Sequence, residues 1–134
     1  MKILFICKHN KFRSKVAEAI FNKLNKNKKI TAESAGIIGS ENETPESVIK
    51  ILKDKGYNVT RKVARRVDLS KINNYYLLVI VADNIDPIFF KDIFKGKIIY
   101  WKISDCSDED IKGIRERVDE IEKRVMKLVK DYSS

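Results

Sequence analysis

The run Tyr76-Leu77-Leu78-Val79-Ile80-Val81-Ala82 is apolar from end to end. A strand with one wet face alternates apolar and polar residues, so an unbroken run reads as a strand covered on both faces. Such a strand needs layers above and below it, and the rest of the chain supplies them by alternation. Lys2 to Ile6 is a short strand-like run, and Val16-Ala17-Glu18-Ala19-Ile20-Phe21 repeats apolar residues at helical spacing in a helix that begins near Ser14. Ile30 to Ser34 reads as a second strand ending at Ala35-Gly36, with a loop over 37–43. Thr44-Pro45-Glu46 opens a second helix, with Thr44 as N-cap and Pro45 at the first helical position. Val48, Ile51 and Leu52 mark its buried face and Gly56 stops it. Arg61 to Lys71 fits neither period clearly. Lys97 to Trp101 is a fourth strand. Ile111, Ile114, Val118, Ile121, Val125 and Leu128 give the last helix its apolar stripe.

This order implies an α/β fold, a parallel sheet with helices on both faces. Ligands bind such sheets beyond the carboxyl ends of the strands. Cys7 follows the first strand directly, Asp83 follows the third, and Asp105 lies just past the fourth, so all three are expected on one edge. The 134 residues, 43% of them apolar, fit one domain over 1–134 with a sizeable core. There is no internal repeat and no low-complexity tail.

The chemistry concentrates in Cys7-Lys8-His9-Asn10-Lys11-Phe12-Arg13-Ser14, where a strand turns into a helix. Amide hydrogens of such a turn and of the first helical turn lack partners within the helix and can hold a tetrahedral oxyanion. Their field favours the thiolate form of a cysteine placed among them. A planar guanidinium at Arg13 can grip two oxygens of the same anion. The bland reading of Cys7 is a small buried apolar residue. Its place before Arg13 and a helix start favours a nucleophile.

Other classes are disfavoured. Two cysteines and one histidine are too few for a disulfide scaffold or a structural zinc site, so neither metal nor cofactor is expected. No apolar stretch is long enough to span a membrane. The first apolar run stops at Cys7 and a basic stretch follows, the wrong order for an export signal. A cytoplasmic protein without membrane contact is expected. The net charge of +9 reads first as a lysine-rich solvated surface, concentrated in 23–29 where cations complement a helix end. It also suits acidic partners such as phosphorylated protein, but no nucleic-acid module or stacking pattern accompanies it, and a nucleic-acid partner is not expected.

These residues resemble the low-molecular-weight protein tyrosine phosphatases and the arsenate reductases built on the same fold. The resemblance runs over nearly the whole chain. It rests on Cys7, Asn10, Arg13 and Ser14 at the loop positions, on Glu33-Ser34-Ala35-Gly36 after the second strand, and on Trp101 to Cys106 before a charged terminal helix starting at about Ser107. It implies a three-layer sandwich with strand order 2-1-3-4. It also implies a two-step phosphatase that needs no cofactor and acts as a monomer on a phosphorylated protein or a small aryl phosphate. Cys7 would attack phosphorus, residues 8–14 (Lys8, His9, Asn10, Lys11, Phe12, Arg13, Ser14) would wrap the phosphate, and Asp105 would protonate the leaving group and then activate water. Asn10 and Ser34 would lock the loop, and Ser14 would stabilise the thiolate.

Four departures qualify this. Asp105 precedes Cys106 where the family has proline, which would stiffen that loop. His9 stands at a glycine position and would have to adopt a left-handed conformation there; with Lys8 and Lys11 it makes the loop unusually basic. Phe12 replaces a cysteine often found before the arginine, so no protective disulfide forms there. Val81 to Pro87 lacks the cysteines of thioredoxin-coupled arsenate reductases. Arsenate reduction, with Cys106 as resolving thiol or with an external thiol reductant, is therefore the alternative, and a non-catalytic phosphate-binding module is the third reading. Asp83 reads equally as a positioning group or a helix cap, Asp105 as an acid or a cap, and Tyr100 and Trp101 as core or site-wall aromatics.

Overall fold

The computed structural model describes residues 1–38 and 43–132. Four strands form one parallel sheet: β1 (Lys2–Cys7), β2 (Thr31–Gly36), β3 (Leu77–Val81) and β4 (Lys97–Trp101). Their order is β2-β1-β3-β4. The central strands are those whose apolar runs are unbroken: β3 is buried throughout, and β1 is buried after Lys2. Alternate residues feed two cores. Ile3, Phe5, Leu77, Val79 and Val81 face one; Leu4, Ile6, Leu78 and Ile80 face the other.

The first core is closed by three helices, α1 (Arg13–Leu24), α2 (Glu46–Asp54) and α4 (Ile111–Tyr132). The stripe Ile114, Val118, Ile121, Val125 and Leu128 packs there against Val16, Ile20 and Phe21. Ile111 departs from the expected stripe: it is exposed, because the helix begins at that residue rather than at about Ser107. Residues 107–110 form a turn instead, with Asp110 Oδ1 accepting the Gly113 N–H at 2.9 Å. Thr44 is likewise not the N-cap of α2. Pro45 holds that position, and Thr44 pairs with the Lys62 carbonyl through its N–H at 2.9 Å. The end of α2 is as expected, with Gly56 at φ 89. Of the expected loop 37–43, residues 39–42 lie outside the described residues.

The second core is covered by shorter pieces. The ambiguous segment after Arg61 runs along the sheet edge, bridging Glu43 to Val63 and Gly36 to Arg66, and then forms a 3-10 helix, Leu69–Asn74. The one-turn helix α3 (Ile88–Lys91) adds Phe90. Among the described residues no helix is long and apolar enough to cross a membrane.

Candidate active site

Cys7 ends β1 opposite Gly36 of β2, and α1 starts at Arg13. The intervening loop lies across the end of β2. A Cβ on Gly36 would meet the Asn10 nitrogen and the His9 carbonyl carbon at 2.9 Å, so backbone occupies the space a side chain would need. The Ile37 and Ile38 N–H groups donate to the carbonyls of Cys7 and Lys8 at 3.1 and 3.0 Å. Phe12 anchors the far end of the loop in the first core. It also stands at the N-cap of α1, where an aromatic ring offers no acceptor to the helix amides. The left-handed residue is not His9, as the glycine position suggested, but Asn10, at φ 56. Asparagine tolerates that conformation because its short amide bonds locally, and here every arm of that amide is used.

The Asn10 N–H donates to Cys7 Sγ at 3.3 Å, and Ser14 Oγ lies 2.9 Å from the same sulfur. Asn10 Nδ2 donates to Ser14 Oγ at 2.8 Å and to Ser34 Oγ at 3.0 Å, while Oδ1 accepts the Arg65 N–H at 2.8 Å. The Ser34 hydroxyl donates to Glu18 Oε1 at 2.6 Å. Glu18 takes the Ser34 hydrogen and Asn10 fills one lone pair of Ser14, which leaves the Ser14 hydroxyl and Cys7 Sγ to bond each other, with Ser14 the donor when the sulfur is ionised. Asn10, Ser14 and Ser34 are all buried, where such a network is strong only if every member is satisfied.

Glu18 and Arg65 are the members that sequence reasoning missed. Glu18 had left a signal, a carboxylate inside the apolar run Val16 to Phe21. Beside it, Lys15 is buried and donates to the Val63 carbonyl at 2.9 Å, tying α1 to the edge segment. Burial pulls the Lys15 ammonium below its ordinary pKa, with Glu18 opposing. Arg65 also donates to Glu33 Oε1 and to the Ser34 carbonyl, both at 3.2 Å. Tyr75 hydrogen-bonds the same Glu33 oxygen at 2.5 Å.

Asp83 and Asp105, expected from strand order on one edge with Cys7, come together around Arg13. Its buried guanidinium donates to the Ile103 carbonyl at 2.8 Å and to Asn84 Oδ1 at 3.3 Å. It lies 3.5 Å from Asp83 Oδ1 and 3.9 Å from Asp105 Oδ2. Asp83 thus partners the arginine. Asp105 is half-exposed, and its Oδ1 accepts the Cys106 N–H at 2.9 Å, a donor that proline would lack. Lys8 and His9 are partly exposed, and Lys11 reaches Asp108 at 3.9 Å. Trp101 is a core residue, packed 6.0 Å from Phe5, while Tyr100 is exposed. Both thiols are free. Cys7 packs in the second core and Cys106 against the first, where burial pushes the Cys106 thiol up against the pull of Arg117.

The family model described as low molecular weight phosphotyrosine protein phosphatase matches residues 2–133. A low molecular weight protein-tyrosine-phosphatase of Bacillus subtilis, YfkJ, is 36% identical over 122 residues, 85% of this chain and 78% of the relative. Among solved structures, an arsenate reductase from Archaeoglobus fulgidus superposes with a TM-score of 0.78 at 31% identity, covering 96% of this chain and 98% of its own. A protein tyrosine phosphatase from Entamoeba histolytica gives 0.79 at 26% identity, covering 96% and 93%.

Proposed function

The chain belongs to the low molecular weight phosphotyrosine protein phosphatase family, and from that premise we propose that Cys7, Arg13 and Asp105 carry out phosphomonoester hydrolysis. The phosphate dianion settles over Cys7 among the loop amides of 8–14, with two of its oxygens on Arg13. The Cys7 thiolate attacks phosphorus, the P–O bond to the leaving group breaks, and Asp105 gives that oxygen its proton. The Asp105 carboxylate then takes a proton from water as the water attacks the phosphocysteine. The S–P bond breaks, and the electron pair returns to a sulfur that Ser14 and the Asn10 amide are placed to stabilise. Developing charge on the equatorial oxygens is met by groups already in position.

The observation that carries this reading is the buried hydrogen-bond chain that reaches Cys7 Sγ, with Ser14 Oγ at 2.9 Å. Aryl phosphates, including phosphotyrosine, are the fitting substrate class, in keeping with the phosphotyrosine phosphatase family to which the chain belongs. A single unit over 1–134, working as a monomer in the cytoplasm, suits a nucleophile that needs reduced thiol. The test is p-nitrophenyl phosphate turnover with acid-quench trapping of the phosphoenzyme. Wild type should turn over, Cys7→Ser should not, and Asp105→Asn should accumulate the intermediate. Full turnover by Cys7→Ser would falsify the assignment.

Likeness to the A. fulgidus arsenate reductase supports a second reading, reduction of arsenate. Both thiols are free, with Cys7 packed in the second core and Cys106 against the first, so the resolving thiol would be Cys106 or an external one. In the second case an external dithiol of the thioredoxin type would release the product. Arsenate-dependent NADPH consumption with thioredoxin and its reductase separates the two readings.

A further inference from the structure

Large apolar side chains are exposed next to the phosphate loop. Phe89 is 49% exposed and Leu69 43%, with Ile38 and Ile88 beside them in this class. Ile37, Arg66, Val67, Leu69 and Phe89 line an open groove of about 500 Å³. One wall of the groove is the backbone that supports the loop. The Ile37 N–H is bonded to the Cys7 carbonyl, and Arg66 bridges Gly36, whose α-carbon lies against Asn10 and His9. The other wall is Phe89, which stands edge-on to buried Phe90 with ring centres 5.0 Å apart, in a one-turn helix whose N-cap is Pro87 and whose Ile88 N–H donates to Asp86 Oδ1 at 3.0 Å. Leu69 starts the 3-10 helix that Asp68 caps.

A small aryl phosphate has no use for such a surface, because its contacts end at the loop and the leaving group. Clustered exposed apolar residues mark a site for a macromolecule, and aromatic side chains are its usual anchors. Arg66 in the groove is balanced by Asp68 on the same lining, and Lys8 on the adjoining loop adds the positive charge beside it. Resting on the phosphatase reading above, we propose that this groove, which is continuous with the backbone supporting the loop, seats a large apolar side chain of a phosphorylated polypeptide, a few residues from the phosphorylated one. The substrate is then a protein selected on two points, phosphate in the loop and an apolar residue beside it.

The test is a panel of phosphotyrosine peptides in an alanine host, with leucine placed in turn at each position from four before to four after the phosphotyrosine. One register should raise kcat/KM about tenfold over the host, the scale of one buried leucine. Phe89→Ser and Leu69→Ser should each cut that gain severalfold while p-nitrophenyl phosphate turnover stays at the wild-type rate. Both side chains are exposed, so two independent variants guard against a folding artefact. A flat panel, or a gain that survives both substitutions, overturns the groove proposal but leaves the phosphatase reading standing. If p-nitrophenyl phosphate is not hydrolysed, the phosphatase reading fails, and the panel is read instead as peptide affinity for Cys7→Ser by fluorescence anisotropy. A flat panel together with a wild-type dimer that Phe89→Ser dissociates assigns the groove to a second copy of the chain, and also overturns the proposal.

Discussion

The loop that would hold the phosphate and the loop that would supply the proton are built differently. In the first, Asn10, Arg13 and Ser14 are at most 2% exposed, and no buried side-chain nitrogen or oxygen among the described residues lacks a partner. In the second, Asp105 is 43% exposed, stands 3.9 Å from Arg13, and is aimed by one bond from its own neighbour's N–H. Arg117 of α4 pins that loop from outside, through the Ser104 carbonyl at 2.9 Å. The contrast fits the chemistry. A dianion must find its donors already placed, since reorganising them costs transition-state stabilisation. A general acid that becomes a general base needs water and room. Mutations in the two loops should therefore fail differently: in the first, folding and activity fall together; in the second, only activity falls.

The sharpest probe is Arg13→Lys. It keeps the charge but removes the fork that now spans Ile103 O and Asn84 Oδ1 and would grip two phosphate oxygens. Activity on p-nitrophenyl phosphate should drop about a thousandfold, the upper end for loss of a transition-state donor. Next comes Asn10→Ala, which places alanine at φ 56 and strands the Arg65 N–H and two hydroxyl partners. It should cost about 3 kcal/mol in urea unfolding and about a hundredfold in kcat. Asn10→Gly relieves the backbone strain but not the lost bonds, so it should recover some stability and little rate. If Asn10→Gly restored the rate, the amide network would be scaffolding alone.

Asp105→Asn tests the other side. Removing an acid–base group should lower kcat about a hundredfold. Stability should stay within about 0.5 kcal/mol, as for an exposed position. A clear loss of melting temperature in Asp105→Asn would erase the contrast between the loops.

The same contrast explains what could be read from the residues in advance. The apolar strands, the layers on both sides of the sheet and the gathering of Cys7, Asp83 and Asp105 followed from apolar period and chain order, because those are set by which residues must leave water; strand order and the pairing of Asn10 with Ser34 were implied by the resemblance. The Arg65 partner of Asn10 and the Glu18 partner of Ser34 did not follow. Arg65 contributes its backbone N–H, which any residue other than proline possesses, so its side chain carried no signal of that role. Glu18 was visible as an acid in an apolar run but named no partner. The placement of His9 was misread because the left-handed turn moved one residue along, to the side chain best able to bond there. The start of α4 was misplaced for a similar local reason, since residues 107–110 form a turn and Asp110, not Asp105, bonds the first helical turn through the Gly113 N–H.

One support of the phosphate loop should show in its pH dependence. Glu33 sits behind Arg65. Burial pushes its carboxyl up, but the Tyr75 hydroxyl, Arg65 and Lys2 outweigh burial and hold it below its ordinary 4.5. A depressed acid contributes stability above its unfolded value and loses it as pH falls through the folded one. Tyr75 is raised to about 12 by burial and by Glu33, so its contribution is present below 10.0 and lost as pH climbs towards 12. Tyr75→Phe should therefore cost about 1 kcal/mol on the plateau between these limits. The deficit should shrink below pH 4.5 and again above pH 10, as followed by urea midpoints. A deficit constant across pH would mean that Tyr75 acts by packing alone.

The smallest effect belongs to Cys106. Proline there removes the N–H that holds Asp105 Oδ1 and adds a fixed φ. One exposed hydrogen bond and one proline each shift stability by about 1 kcal/mol in opposite directions, so the melting temperature of Cys106→Pro should hardly move. Aim is another matter. With Oδ1 released, the carboxyl can turn about its own bond, and a stiffer backbone does not prevent that. Cys106→Pro should lower kcat about two- to threefold, while Cys106→Ala, which keeps the N–H, should match wild type. Equal rates for both variants would mean that Asp105 is aimed by Arg13 across the site rather than by its neighbour, and the two loops would then be one rigid body.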